Sequence, residues 1–304
     1  MSTSIASALA LELNKLRTPV ILMHDVARVA WVLYKKKEHD GQPLQVQRTS
    51  LDKSAFRRVV RDLQFAGTLQ PVTGFSPESV TTLIGRDASD RNALACTLDP
   101  FCFLSHLSAM EFHGLTDRFP EVLYVSSPGR KEWGEQAQAR MHKDLGPDLE
   151  AFKAAGLPLL RRIEITRINR KPVHRYSSTH LGAFRTIKDS PVRVATLGRT
   201  FLDMLRAPEL CGSMQHVIAV YRQHAAGFLR LIVDELEQHG TAIEKARAGF
   251  LLEHVCKATD PRLDAWAKQV VRGGSRKLDA SADYAPEFSE RWALSINVSL
   301  QEEA

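Results

Sequence analysis

The stretch that most constrains this chain runs from Thr49 to Gly85, where a basic amphipathic helix, a glycine turn and two short strands follow one another directly. In T-S-L-D-K-S-A-F-R-R-V-V-R-D-L, the residues Phe56, Val59, Val60 and Leu63 fall at helical spacing and form one apolar stripe. Lys53, Arg57 and Arg61 recur every four residues on another face, with Ser54 and Arg58 beside them. Thr49 or Ser50 can cap the start, and Asp52 falls in the first turn, where the helix dipole favours a negative charge. Gly67 can close the helix in a left-handed turn. T-L-Q-P-V (68–72) and V-T-T-L-I (80–84) read as strands around a Gly/Pro/Ser loop. A helix with one apolar and one arginine-rich face, followed at once by a hairpin, is what a winged helix-turn-helix requires. The apolar face docks on the domain and the basic face enters the major groove. The expected DNA-contacting set is Lys53, Ser54, Arg57, Arg58 and Arg61.

The residues upstream fit the two supporting helices of such a domain. Ile5, Leu9, Leu13 and Leu16 line one helix; Val26, Val29, Ala30 and Leu33 line a second, which ends in Lys35-Lys36-Lys37. Residues 1–84 hold eleven Lys and Arg against seven acids, a local balance of +4 out of +6 for the whole chain. The positive excess therefore gathers where a DNA-binding domain would need it. Two points weigh on the other side. Three lysines at a helix C-terminus are also explained by the dipole, and a charged outer face can be merely solvated. The loop T-G-F-S-P-E-S carries no Lys or Arg, so a phosphate-gripping wing is not supported.

A chain of 304 residues suggests two domains, and the D-A-S-D break at 87–90 divides it best, into 1–90 and 91–304. A pI near 9.2 points to an anionic partner. No apolar run approaches membrane-spanning length, and the first residues lack a basic region ahead of their apolar part, which Glu12 interrupts. The four cysteines, Cys96, Cys102, Cys211 and Cys256, form no C-x-x-C pair and are expected as reduced, mostly buried thiols. A cytoplasmic location without membrane association follows as the expectation.

Beyond the break, 91–99 suggests a short helix, and F-C-F-L-S-H leads into a helix, capped by Ser105 and ended by Gly114. E-V-L-Y-V-S-S (121–127) is a strong strand. Residues 128–157 read as a partly mobile helical insertion, with Trp133, Met141, Leu145 and Phe152 thinly spread. R-R-I-E-I-T-R-I (161–168) alternates like a strand with a basic outer face, where Arg161 or Arg162, and Arg167, could meet an anionic partner. Short strands follow at 173–176, 184–187 and 191–196. Leu197–Lys257 is helical with breaks near Pro208, Gly227 and Gly240, R-G-G-S-R-K (272–277) is a loop, and 291–299 is a closing strand. The second domain is thus mixed, and the fold class is α+β.

No catalytic constellation emerges. Ser105, His106, Ser108, Glu111 and His113 lie on one short stretch, and residues so close along a helix rarely aim at a common point. There is no G-x-S-x-G elbow, no H-E-x-x-H and no phosphate loop. A metal-dependent nuclease would need converging carboxylates; Glu164, Asp203 and Glu253 are the acids weighed for it, and none sits in a nuclease-like pattern. No cofactor and no metal are expected, and the chain is not expected to be an enzyme.

F-L-S-H-L-S-A-M-E-F-H-G-L-T-D-R-F-P-E-V-L-Y-V-S-S (103–127) resembles the segment that opens the C-terminal domain of AbiEi-type antitoxins. P-V-R-V-A-T-L-G-R-T-F-L-D-M-L-R-A-P-E-L-C-G-S (191–213) is similar to that family's strand, R-T-(L/F)-L-D helix and P-(D/E)-L-x-G turn, and R-W-A-L-S-I-N-V to its C-terminal stretch. The N-terminal part matches only as a generic winged helix. The insertion at 128–157 and the long helix 24–37 depart from the family. The resemblance implies the antitoxin half of a type IV toxin–antitoxin pair: a transcriptional autorepressor that binds inverted repeats in double-stranded DNA of its own promoter. Its functional partner would be a nucleotidyltransferase-like toxin, neutralised without a tight complex. In that scheme Arg199 and Asp203, four apart on one helix, can pair structurally. Two other readings stay open. One is a DNA-processing enzyme with a divergent nuclease-like C-terminal domain. The other is a protein-interaction module that does not bind DNA.

Overall fold

The computed structural model describes residues 3–46, 50–270 and 276–301. The chain is a mixed α+β protein. Thr49, considered above as a helix cap, and residues 272–275 of the basic loop lie outside the described residues.

The first elements are β1 (Thr3–Ser4), α1 (Ile5–Lys15), β2 (Ile21–Leu22), α2 (Met23–Lys36), β3 (Glu38–His39), β4 (Gln42–Gln45), α3 (Lys53–Phe65), β5 (Leu69–Pro71) and β6 (Val80–Leu83). The three helices bury most of the apolar stripes anticipated for them, Leu9 and Leu13 on α1, Val26, Ala30 and Leu33 on α2, and Phe56, Val59, Val60 and Leu63 on α3. Ile5, Val29 and Leu16, the last just past the end of α1, are half-buried against the same core. β5 and β6 pair antiparallel, Leu69 opposite Leu83, as expected from the sequence. The two-residue β2 adds to the other edge of β6, and a second small sheet, β1-β4-β3, was not anticipated.

The middle of the chain holds α4 (Arg91–Leu98), β7 (Phe103–Leu104), α5 (His106–Phe112), β8 (Leu123–Ser127), α6 (Arg130–Leu145), α7 (Leu149–Ala154), β9 (Arg167–Ile168), β10 (Lys171–Ser177), β11 (Phe184–Thr186) and β12 (Arg193–Ala195). Its strands form one mixed six-stranded sheet in the order β11-β12-β7-β8-β10-β9. The insertion at 128–157 is α6 and α7, and Trp133, Met141, Leu145 and Phe152 are all buried, as are Leu149 and Leu157. Phe152 meets Trp31 and His24 of α2 edge to face, Lys35 binds Asp148, and Arg140 binds Asp25. The anticipated strand at 161–168 is confined to β9. Burial does not alternate here: Ile165 and Ile168, three residues apart, are buried, Ile163 is only half-buried, and the Ile163 carbonyl accepts from Arg175 Nη2 instead of a neighbouring strand.

The last third comprises α8 (Leu197–Arg206), α9 (Met214–His239), α10 (Ala242–Phe250), α11 (Pro261–Gln269), β13 (Phe288–Ser289) and β14 (Leu294–Ser295). Breaks occur at Pro208 and Gly240 as expected, but not at Gly227, which α9 carries through its interior. The closing strand is only β14, because Ala293 before it takes a left-handed φ of 47°. Apolar packing does not follow chain order: one core runs from Ala8 to Ala195 across residues 87–90, and a second, from Met110 to Ile296, is built mainly from α8–α11. The four cysteines are free thiols. Among the described residues, no helix is long and apolar enough to cross a membrane.

Candidate nucleic-acid interface

Asp52 is itself the N-cap of α3, not a first-turn residue: its Oδ1 accepts from the Ala55 N–H at 2.7 Å. The helix closes as the sequence suggests. Gly67 has φ +73°, its N–H donates to Gln64 O, and the Thr68 N–H donates to Leu63 O, which is a Schellman turn. Between these ends Lys53, Ser54, Arg57, Arg58 and Arg61 are all exposed, opposite the buried stripe. Phe65, in the last turn, is 96% exposed, an apolar projection beside the arginines.

The start of α3 is not free. The Lys53 N–H donates to Ala155 O at the end of α7, and Gly156 packs on the Lys53 side chain. The chain from Gly156 to Glu164 then runs opposite α3 and, with the Gly74–Ser79 loop, encloses an open cleft of about 860 Å³. His24 of α2 helps fix that wall, its Nδ1 lying 3.0 Å from Pro158 O. Lys53, Arg57 and Arg61 line one side, and Arg161 and Arg162 the other. Ser54 and Arg58 are exposed on the same helix but lie outside the cleft.

The electrostatics of this cleft are lopsided. Five cations face only Glu78 and Glu164, and Glu164 is shared by Arg130 and Arg175, each at 3.4 Å. Among the described residues, no carboxylate forms an ion pair with Lys53, Arg57, Arg58, Arg61, Arg161 or Arg162. Partial burial and then the Arg175 guanidinium depress the Arg162 pKa below its ordinary value, and Arg162 Nε has no hydrogen-bond partner. A guanidinium so placed is stabilised by an incoming anion such as phosphate. The sequence suggests Arg161 or Arg162, together with Arg167, as an anion-docking surface on a strand. Arg167 is exposed on β9 but does not line the cleft, whereas Arg161 and Arg162 both do, from an extended segment about a hundred residues along the chain from the helix they face, and no local pattern could have announced that.

The residues considered for catalysis are dispersed into separate structural roles. Ser105 and His106 are wholly buried, with His106 Nδ1 2.9 Å from Ser105 Oγ. Ser105 occupies the N-cap position of α5, but its hydroxyl makes no capping bond. The Ser108 hydroxyl accepts from the Tyr124 N–H, His113 Nε2 lies 2.7 Å from Ala195 O, and Glu111 faces Arg91 at 3.9 Å. Asp203 is bound by Arg199, and Glu253 accepts from Arg291 and from Trp292 Nε1–H. Glu164, Asp203 and Glu253 thus answer separate arginines, Arg130 and Arg175, Arg199, and Arg291 respectively.

No protein-family model matches the chain, and no curated protein matches it. Among solved structures, it is similar to the crystal structure of the RV2827C protein from Mycobacterium tuberculosis. The two are 14% identical, and the match covers 95% of this chain and 90% of that one at a TM-score of 0.45.

Proposed function

We propose that the chain binds double-stranded DNA through α3, acting as a transcriptional autorepressor and as the antitoxin of a type IV toxin–antitoxin pair, with no catalytic activity of its own. The observation that carries the DNA-binding part is the row of exposed, carboxylate-free cations on α3, facing Arg161 and Arg162 across a cleft. In this reading α1–α3 with the β2-β6-β5 sheet form a winged helix-turn-helix. Arg57, Arg58 and Arg61 read base edges, and Lys53, Arg161 and Arg162 hold phosphates. Because α7 abuts the helix start, the middle of α3, not its first residue, would lie deepest in the groove.

The antitoxin part rests on the resemblance to the AbiEi family. Its support is that the two resembling stretches are neighbours in space: β12 pairs with β7, β7 with β8, and His113 reaches Ala195. The test is a gel-shift titration of the chain's own promoter region with wild-type protein and with the Arg57→Ala/Arg61→Ala variant. Both arginines lie off the apolar stripe, so the variant folds, and it should lose specific binding. Undiminished affinity would overturn the assignment.

A further inference from the structure

The last turn of α9 presents Glu235 and His239 four residues apart, on one helical face. The segment after β10 brings His180 against them, so that one ligand atom from each of the three lies within 4.8 Å of the others. His180 Nε2 is 3.5 Å from Glu235 Oε1, and neither atom has a hydrogen-bond partner, nor does His180 Nδ1. Three solvent-excluded polar atoms without partners are unusual in a folded protein. A separation of 3.5 Å is long for a hydrogen bond, but it matches the edge of a zinc tetrahedron, about 3.3 Å for bonds of about 2.0–2.1 Å.

The surroundings fix the backbone that carries these side chains. The His180 carbonyl accepts from Arg199 Nη1 and from Ser178 Oγ, both at 2.8 Å. Arg206 Nη2 donates to the His239 carbonyl at 2.6 Å. A Cβ at Gly198 would overlap the Leu231 carbonyl and touch the Glu235 side chain, so α8 packs directly on this turn of α9. The two nearby arginines are already neutralised, Arg199 by Asp203 and Arg206 by Glu244, which leaves Glu235 as the local charge.

We propose that His180, Glu235 and His239 form a binding site for one divalent transition-metal ion, zinc foremost, tying the segment after β10 to the end of α9. Two imidazoles and one carboxylate are the donor set that borderline ions of this class prefer over magnesium or calcium. The His180 and His239 rings are stacked at 3.8 Å between centroids. Rings stacked face to face, here 27° from parallel, do not both direct a lone pair at one ion, so binding requires His239 to turn. His239 is the exposed member of the set and is free to do so.

The test uses the full chain stripped with a chelator and titrated with zinc against a chromophoric competitor, with cobalt(II) as a spectroscopic substitute. Wild type should take up one equivalent, raise its melting temperature and give cobalt ligand-field bands. His239→Ala and Glu235→Gln should each weaken binding by more than about tenfold. His39→Ala, in the separate Glu12–His39–Asp40 group, should leave it unchanged. His239→Ala removes an exposed side chain and keeps the test decisive if Glu235→Gln misfolds. No uptake together with an unmoved melting temperature, or uptake that survives both ligand substitutions, would overturn the site. So would loss of binding in His39→Ala.

Discussion

Arg199 and Asp203 form an ion pair one helical turn apart on α8, Nε to Oδ1 at 2.7 Å, and neither side chain is exposed to solvent at all. Arg199 spends its other donors on His180 O and Ser178 Oγ, so the pair stitches α8 to the segment that follows β10. Two charges at 0% exposure are tolerable only together, because each alone would carry a desolvation cost of several kcal/mol. Asp203→Ala or Arg199→Leu should therefore destabilise the protein by about 3–5 kcal/mol. Urea denaturation checks this, and a loss below about 1 kcal/mol in either variant would show that the pair is not an interdependent unit.

Gly249 on α10 is set by a neighbour far along the chain. A Cβ there would overlap the ring of Trp292, the largest fully buried side chain, whose Nε1–H donates to Glu253. Alanine normally favours a helix over glycine by about 1 kcal/mol, yet here overpacking costs about 1–3 kcal/mol or more. Gly249→Ala should lower stability and shift tryptophan emission as Trp292 moves. A variant more stable than wild type would show that the ring yields easily.

His106 predicts a pH dependence. Burial, and to a lesser degree Arg199, His174 and Arg206, lower its pKa to about 4 from 6.5, against the opposing effect of Asp203. The unfolded chain therefore takes up a proton near pH 6.5 that the folded chain refuses until near pH 4. The stabilisation is complete above pH 6.5 and is lost as pH falls through that window, by on the order of 3 kcal/mol. Other buried histidines shift the same way, so the measurement is a difference. His106→Asn removes the titration, and asparagine tolerates the left-handed φ of 50° at this position. The gap in unfolding free energy between variant and wild type should shrink toward acid pH. A gap constant from pH 8 to pH 4 would remove His106 as the cause.

Features set by local chemistry were legible in the sequence. The stripe of Phe56, Val59, Val60 and Leu63, the glycine stop at Gly67 and the Arg199–Asp203 spacing are all i to i+4 relationships, and the structure holds each of them. Features set by distant partners were not legible. Gly227 reads as a helix breaker, but the buried Tyr221, Ala225, Ile232 and Val233 around it hold α9 together, and an interior glycine costs only about 1 kcal/mol. The alternation at 161–168 reads as a strand, but Arg175 occupies a carbonyl that a ladder would use. The candidate interface divides along the same line: the face of α3 is a local pattern, whereas the Arg161–Arg162 wall exists only because α6 and α7 dock on α2.

That two-walled arrangement separates two roles by salt and by sequence. Phosphate contacts release counterions, so each one contributes about 0.9 to the slope of log affinity against log salt on duplex DNA. Arg161→Ala/Arg162→Ala should therefore flatten the slope by about 2 and weaken binding to operator and unrelated duplex alike. Arg57→Ala should instead narrow the gap between operator and unrelated duplex by about 1–3 kcal/mol, because a guanidinium bidentate to guanine carries discrimination. Fluorescence anisotropy titrations across a salt series give both quantities from one set of proteins. If the Arg161/Arg162 variant kept the wild-type slope, the far wall of the cleft would lie off the DNA, and α3 alone would have to account for binding.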